Sequence, residues 1–200
     1  MKLYCFSITY LPRDCDQTLL AGRCIKVLHI YMSRKEQFNI AVSFPLWSER
    51  EIGHQIDFVS PDPDLLKLLL KQPYFQLMIE NGLFEASDTF ELMRSSRCVK
   101  FVRNRSIDKI TPAAKARRLR RAQRRALERG ESFDPIAPQY KEVDFFHSIP
   151  MESSESGMSY MLRVQRYEAH QANEIEKFEV CSYGLSTNES HEALIPYCAA

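Results

Sequence analysis

One basic segment, residues 100–130, constrains this chain of 200 residues more than any other feature. It holds twelve lysines and arginines against two acidic residues, whereas the rest of the chain holds fifteen against twenty-four. The segment therefore carries a formal charge of +10 and the remainder carries −9. Because charge this dense cannot be buried in a core, it must face water or a polyanion. The asymmetry favours a protein that binds nucleic acid.

Most of this charge falls on one face of a predicted helix. Thr111 and Pro112 are typical of a helix start, and Gly130 lies where the helix should end. At about 100° per residue, one half of the helix holds Arg117, Arg118, Arg120, Arg121, Arg124, Arg125 and Arg129. The opposite half holds Ala116, Leu119, Ala122, Ala126 and Leu127, which predicts that this second face packs on the protein.

The arginine face indicates an anionic partner. Arginines one turn apart repel each other and destabilise an isolated helix, and a solvated charged face normally mixes acidic with basic residues, whereas this one has only Glu128. The planar guanidinium pairs with phosphates or a guanine edge. A helix suits a widened RNA major groove or a stem–loop junction, because a regular A-form major groove is too narrow. Duplex DNA stays an alternative on charge alone.

The first half of the chain alternates predicted strands and helices. They are a strand at Leu3–Tyr10, a helix at Asp16–Tyr31, strands at Phe38–Phe44 and His54–Val59, a helix that starts at Ser60–Pro61, and a strand at Phe84–Met93. This order predicts an α+β, ferredoxin-like domain over residues 1–94. Its open antiparallel sheet is shared with RNA-recognition modules.

Residues 95–200 are predicted to form a smaller α/β, RNA-binding domain. Its elements are a strand at Cys98–Val102, the arginine helix at about 112–129, and strands at Val143–His147, Tyr160–Arg166 and Glu179–Tyr183. The polar stretch Glu152–Ser159 is predicted to be a loop.

Several classes of protein are not expected. The chain lacks a run of eighteen apolar residues, and its N-terminal segment lacks the apolar core of a secretory signal, so we expect a cytoplasmic protein without a membrane partner. The six cysteines form no C-x-x-C motif and no zinc-type spacing with histidine. We therefore expect reduced thiols, no metal and no cofactor.

Four blocks together resemble a known family. They are VLHIYMSRKEQFNIAVSFP (27–45), FVRNRSIDKITPAAKARRLRRAQRRALERG (101–130), SYMLRV (159–164) and CSYGLS (181–186). In order and spacing they are similar to the type I-F CRISPR repeat-processing endoribonucleases, over essentially the whole chain. The stretches NIAVSFPLW, SIDKIT and RALERGESFDP are most similar to the subgroup encoded within transposons.

The resemblance implies a metal-independent enzyme that cuts CRISPR precursor RNA at the base of the repeat hairpin. The 2′-OH would attack the adjacent phosphate and leave a 2′,3′-cyclic phosphate and a 5′-OH. The protein would then stay on the 3′ hairpin of the crRNA as a subunit of Cascade, the guide-RNA surveillance complex, in contact with the Cascade backbone subunits. The transposon-encoded subgroup implies a further contact with a TniQ-type adaptor.

The resemblance also implies the catalytic residues. His29 precedes the VSFP block at the interval of the catalytic histidine, and helical spacing turns it away from the apolar face of its helix, so we expect it to be exposed. The catalytic serine lies in the loop before SYMLRV, which selects Ser153, with Ser154 as an alternative. The active-site tyrosine is Tyr183, after the inserted Ser182.

Other positions match the family's RNA contacts. Arg103 and Arg105 match linker residues that read base edges, although the second family position is often glutamine. Arg121, Arg124 and Arg125 match arginines that follow the groove, and Tyr160 matches an aromatic residue that stacks near the cut. Two alternatives are a non-catalytic RNA-hairpin-binding subunit and a DNA-binding regulator.

Overall fold

A computed structural model describes residues 1–134, 143–153, 156–170, 178–188 and 190–197, with only the backbone of His170. The elements in chain order are β1 (Tyr4–Tyr10), α1 (Gln17–Lys35), β2 (Ala41–Ser43), β3 (Gln55–Ser60), α2 (Pro63–Leu70), α3 (Pro73–Glu80), β4 (Phe84–Ala86), β5 (Phe90–Glu91), β6 (Arg97–Arg103), α4 (Ser106–Ile110), α5 (Pro112–Glu128), β7 (His147–Glu152), β8 (Ser159–His170), β9 (Ser186–Thr187) and β10 (Ile195–Pro196). The predicted α+β class is confirmed.

The first sheet has the strand order β2-β3-β1-β4, with β5 also paired to β1, and every pairing is antiparallel. With α1 between β1 and β2, and α2 and α3 between β3 and β4, it is compatible with the ferredoxin-like pattern. The second helical region differs from its prediction. The N-cap is Asp62, followed by Pro63, rather than Ser60 and Pro61, because the Asp62 carboxylate accepts hydrogen bonds from the first turn.

Helix α1 carries the predicted catalytic histidine. Asp16 caps it by accepting a hydrogen bond from the Leu19 backbone, and Glu36, in the left-handed conformation, ends it. The helix therefore continues one turn beyond the predicted end at Tyr31. Its buried face comprises Ala21, Gly22, Cys24, Ile25, Leu28, Tyr31 and Met32.

The second sheet has the order β10-β6-β8-β7, and β9 pairs with β6 in parallel. Two predicted strands are wrong. The strand expected at 143–147 lies at His147–Glu152, because Phe145 packs against Trp47 instead of joining the sheet. Residues 179–183 form no strand, because the chain turns back at 181–184.

Both sheets contribute to one buried cluster, which includes Phe6 and Phe58 from the first sheet and Phe101 and Leu162 from the second. Helix α1 packs directly on β7. A Cβ added to Gly22 would stand 2.2 Å from the Pro150 carbonyl oxygen, so only glycine allows this approach. The division into domains at 94/95 stays a prediction.

Among the described cysteines, Cys5, Cys15, Cys24 and Cys181 are free thiols, and Cys198 lies outside the described residues. No helix in the described ranges is long and apolar enough to cross a membrane.

Candidate active site

His29 is half-buried, not exposed as its helical spacing predicted, because the turn at 181–184 covers it. Its Nδ1 lies 3.0 Å from the carbonyl oxygen of Ser182. Its ring stacks on that of Tyr183, with 4.6 Å between centroids and 13° between planes. Since a carbonyl oxygen only accepts hydrogen bonds, Nδ1 carries the proton in this contact, and the lone pair of the neutral ring is on Nε2. His29 can therefore exchange a proton with a ligand through Nε2.

The turn that holds Tyr183 is fixed at Gly184. Its carbonyl accepts a hydrogen bond of 2.7 Å from the Val42 backbone, which ties the turn to β2. Gly184 has a φ of +72°, and an added Cβ would stand 2.6 Å from Leu28, 2.8 Å from Val42 and 3.0 Å from Ile40. Only glycine has both the backbone freedom and the size for this position. The turn is thereby locked between α1 and β2, next to His29.

Two further side chains contact Tyr183. The Tyr160 hydroxyl, from β8, lies 3.0 Å from the Tyr183 hydroxyl, and the Arg103 guanidinium carbon lies 4.6 Å from the Tyr183 ring centroid. Burial and the bond to Tyr183 raise the pKa of Tyr160, while Arg103 opposes the rise. The Tyr160 hydroxyl therefore stays protonated in the neutral range. Both residues, predicted as RNA contacts, already belong to the environment of His29.

Ser153 lies in the turn between β7 and β8. Its Oγ accepts a hydrogen bond from the Ser156 backbone at 3.2 Å, and no hydrogen bond joins it to His29 or Tyr183, which are both described. The neighbouring Glu152 pairs with Lys26 at 3.2 Å, one turn before His29 on α1. The structure thus brings the end of β7 towards α1 without direct contact between the serine and the histidine. Ser154 lies outside the described residues.

Helix α5 has the predicted ends. The Thr111 hydroxyl accepts a hydrogen bond from Ala114, and Gly130 follows the helix with a φ of +70°. The predicted arginines are all exposed: Arg117, Arg118, Arg120, Arg121, Arg124 and Arg125. Of the two arginines predicted for the linker before the helix, Arg103 is half-buried at the end of β6 and Arg105 is exposed just before α4.

The prediction that the apolar face of α5 packs on the protein is wrong. Ala126 is buried, but Leu119 is 49% exposed and Leu127 is 71% exposed. The reason is that α5 packs mainly on α4, a five-residue helix too short for its periodicity to be recognised in the sequence. Arg163 holds α4 by an ion pair of 3.5 Å with Asp108. The arginine helix is therefore attached near its N-terminal end and open around most of its surface.

Few of these arginines have an acidic partner. Arg124 lies 3.5 Å from Glu128, and Arg129 lies 2.8 Å from Glu131. Within the described part of the chain, the other five arginines of the face make no ion pair. These arginines repel one another, and an anion bound to the face would relieve that repulsion.

The site thus joins α1, the start of β8 and the turn at 181–184, beside an exposed arginine helix. The family model of the CRISPR-associated protein Cas_Csy4 matches residues 5–197. The chain belongs to the Cas_Csy4 family. It is therefore a CRISPR repeat-processing endoribonuclease that binds the repeat RNA hairpin, as the four sequence blocks implied.

Two other comparisons add no evidence about the function of this Cas_Csy4 protein. A search of curated protein sequences gives no significant match. One solved structure that it resembles is described as a candidate chlorite dismutase, TA0507, with 12% identity over 86% of this chain and 80% of that one. Its TM-score of 0.28 is too low to support any argument about fold or function.

Sequence reasoning missed three contacts in the site of this Cas_Csy4 protein. They are the Ser182 carbonyl on His29, the Gly184 position between α1 and β2, and the hydroxyl pair of Tyr160 and Tyr183. The one signal in the sequence was the inserted Ser182, whose backbone contact becomes visible only in the fold. The catalytic and RNA-binding roles of individual residues stay predictions.

Proposed function

We propose that this protein cuts repeat RNA through the RNA's own 2′-OH, which attacks the adjacent phosphorus while the 5′-oxygen leaves. The products are a 2′,3′-cyclic phosphate and a 5′-OH. The observation that carries the proposal is the His29 contact with Ser182, which leaves Nε2 to take up or deliver a proton. An imidazole has its ordinary pKa near 6.5, so it exchanges protons readily at neutral pH.

Three residues have separate roles in the proposed reaction. His29 transfers the proton, and Tyr183 orients the imidazole through the stacked ring contact. Ser153, or its neighbour Ser154, holds the attacking 2′-OH in line. The position of Ser153 supports this role, since the adjacent Glu152 is paired with α1 one turn from His29. Tyr160 provides an aromatic ring on which a base near the cut can stack.

The reaction as proposed needs no metal ion, because the ribose supplies the nucleophile and the imidazole moves the proton. The side chains support this reading. In the described ranges, no three histidine, cysteine or acidic residues are grouped so that they could hold a metal ion. Two-metal nucleases depend on such ligand sets.

Helix α5 binds the hairpin. Its exposed arginines, Arg117, Arg118, Arg120, Arg121, Arg124 and Arg125, would pair with phosphates along the groove. The open surface around the helix supports this proposal, because it leaves the arginine face free to enter a groove. Arg103 and Arg105, in the linker before it, would read base edges at the bottom of the stem.

We infer a type I-F protein of the transposon-encoded subgroup, on the sequence blocks that resemble it. It would retain the cleaved hairpin as a Cascade subunit, in contact with the backbone subunits and a TniQ-type adaptor. Retention is supported by the density of exposed arginines on α5, since each phosphate contact adds affinity.

The catalytic proposal is tested with His29→Ala and labelled repeat RNA in excess EDTA. We expect the wild type to cut and leave a 2′,3′-cyclic phosphate, and the variant to lose cleavage while its hairpin Kd stays within a few-fold. RNA with hydrogen in place of the 2′-OH at the cut should resist both proteins. His54→Ala, at an exposed histidine of the first sheet, is the matched control and should cut normally.

Each contrary result has a meaning. Loss of cutting in EDTA would replace this chemistry by a metal-dependent one, and normal cutting of the 2′-deoxy RNA would make water the nucleophile. A wild type that binds but never cuts would be a non-catalytic hairpin-binding subunit. Equal competition by duplex DNA would favour the DNA-binding regulator.

A further inference from the structure

The hydroxyl groups of Tyr160 and Tyr183 lie 3.0 Å apart, which is hydrogen-bond distance for two hydroxyls. One residue belongs to strand β8 and the other to the turn that covers His29. We propose that Tyr160 is a positioning residue, whose hydroxyl acts through Tyr183 to fix the orientation of the His29 imidazole. This inference rests on the proposed role of His29 in proton transfer.

Both contacts of His29 with the turn depend on where the turn lies. The Ser182 carbonyl accepts from Nδ1, and the Tyr183 ring stacks on the imidazole. Stacked rings tolerate sliding, because offset arrangements with similar centroid distances have similar energies. A hydrogen bond is directional and loses strength steeply when bent. The bond to Tyr160 therefore restricts the sliding that the stack alone would allow.

Strand β8 is a suitable anchor for this bond. Tyr160 pairs with Met151 of β7, and Ser159 pairs with Glu152, immediately before the turn that holds Ser153. The hydroxyl pair therefore joins the strand pair that carries Ser153 to the turn that carries Tyr183. This hydrogen bond thereby fixes the distance between Ser153 and His29, which neither the strand pair nor the turn fixes alone.

Arg103 supports the same ring from a second element. Its guanidinium carbon lies 4.6 Å from the Tyr183 centroid, at the end of β6. A cation over an aromatic ring is an attractive contact but does not fix the ring's rotation in its plane. Arg103 therefore keeps the ring at the site, and the Tyr160 hydroxyl sets its alignment.

The first test is Tyr160→Phe, which removes the hydroxyl and keeps a ring for RNA stacking. We expect the single-turnover cleavage rate to fall about three- to ten-fold, the effect of losing one ordinary hydrogen bond in the transition state. The Kd for repeat RNA with a 2′-deoxy cut site should stay within about two-fold, since the ring remains. Tyr167→Phe is the matched control, because it removes another β8 hydroxyl, bonded to Gln165, and should cut at the wild-type rate.

The second test is a double-mutant cycle with Tyr183→Phe, which breaks the same bond from the other side and keeps the stack on His29. If Tyr160 acts through Tyr183, the double variant cuts no more slowly than the slower single variant. Rates that fall multiplicatively would show that the two tyrosines act independently, and would overturn the proposal. A Tyr160→Phe variant with the wild-type rate, or with only a weaker Kd, would also overturn it.

Failure of the proposed role of Tyr160 can be distinguished from failure of the proposed function by comparing two variants. If His29→Ala cuts as fast as the wild type, His29 is not the proton-transfer group and the proposed function fails. If His29→Ala is inactive and Tyr160→Phe cuts normally, only the positioning role of Tyr160 fails.

Discussion

Gly184 is the residue on which the meeting of His29 and Tyr183 most directly depends. It turns the chain with a positive φ in a space bounded by Leu28, Val42 and Ile40. A side chain there would push the turn away from α1, and the Ser182 carbonyl and the Tyr183 ring would move with it. We therefore expect a small change at this glycine to lower stability and, through the proposed role of His29, to slow cleavage as well.

Gly184→Ala should destabilise the protein by more than a glycine replacement in open space. Alanine at positive φ costs about 1–2 kcal/mol, and overpacking typically adds about 1–3 kcal/mol. Gly82→Ala is the matched control, since Gly82 also has a positive φ but nothing within 4 Å of an added Cβ. Urea unfolding measures both, and equal free-energy losses would contradict the packing argument. Gly184→Ala should also cut repeat RNA more slowly, and Gly82→Ala should not.

The sequence blocks select candidate residues here but do not show how these residues contact one another. His29 and Tyr183 could be selected because each lies in a recognisable block. The Ser182 carbonyl could not, because it approaches His29 from 153 residues away. The half-burial of His29 was missed for the same reason, since helical spacing describes only the helix's own surface.

Among the elements, helix α5 shows where sequence patterns succeed and where they fail. Its ends were predictable because capping depends on local chemistry at Thr111, Pro112 and Gly130. Its open apolar face was not, because packing depends on a surface that other segments provide. The short strands β9 and β10 were missed similarly, since two residues carry no readable alternation, and the strand predicted at Phe84–Met93 is divided into the two short strands β4 and β5.

Salt dependence tests the arginine face of α5. If about six phosphates are neutralised, the plot of log affinity against log salt should have a slope of roughly −4 to −5. Arg121→Ala should reduce the magnitude by about one, whereas Arg13→Ala, at an exposed arginine before α1, should leave it unchanged. Filter binding at several salt concentrations measures these slopes, and a flat response would refute groove binding by this face.

Across the whole molecule, the two sheets enclose a cavity of about 320 Å³ whose lining includes Phe44, Asp57 and Phe101. Burial raises the pKa of Asp57, and hydrogen bonds with Gln55 and Ser7 oppose part of the rise. The folded state therefore binds this proton more tightly than the unfolded state. Asp57 stabilises the fold below its ordinary pKa of 3.8, and this contribution is lost as pH rises through the folded pKa.

Asp57→Asn should therefore be more stable than the wild type at pH 7 and lose that advantage near pH 4, because an amide does not ionise and can still accept the Gln55 hydrogen bond. Urea unfolding at both pH values measures the difference. Asp88→Asn, at an exposed carboxylate, controls for the general effect of removing one negative charge. An equal change in unfolding free energy at both pH values would contradict the burial argument.

His29 and Ser182 are 153 positions apart, and this separation also orders events during translation. The ribosome synthesises the histidine first, and the turn that covers it emerges much later. A nascent chain can therefore expose its arginines to RNA before the proposed cleavage site has formed. If His29 has its proposed role, cleavage begins only when the turn at 181–184 has folded back onto the first helix.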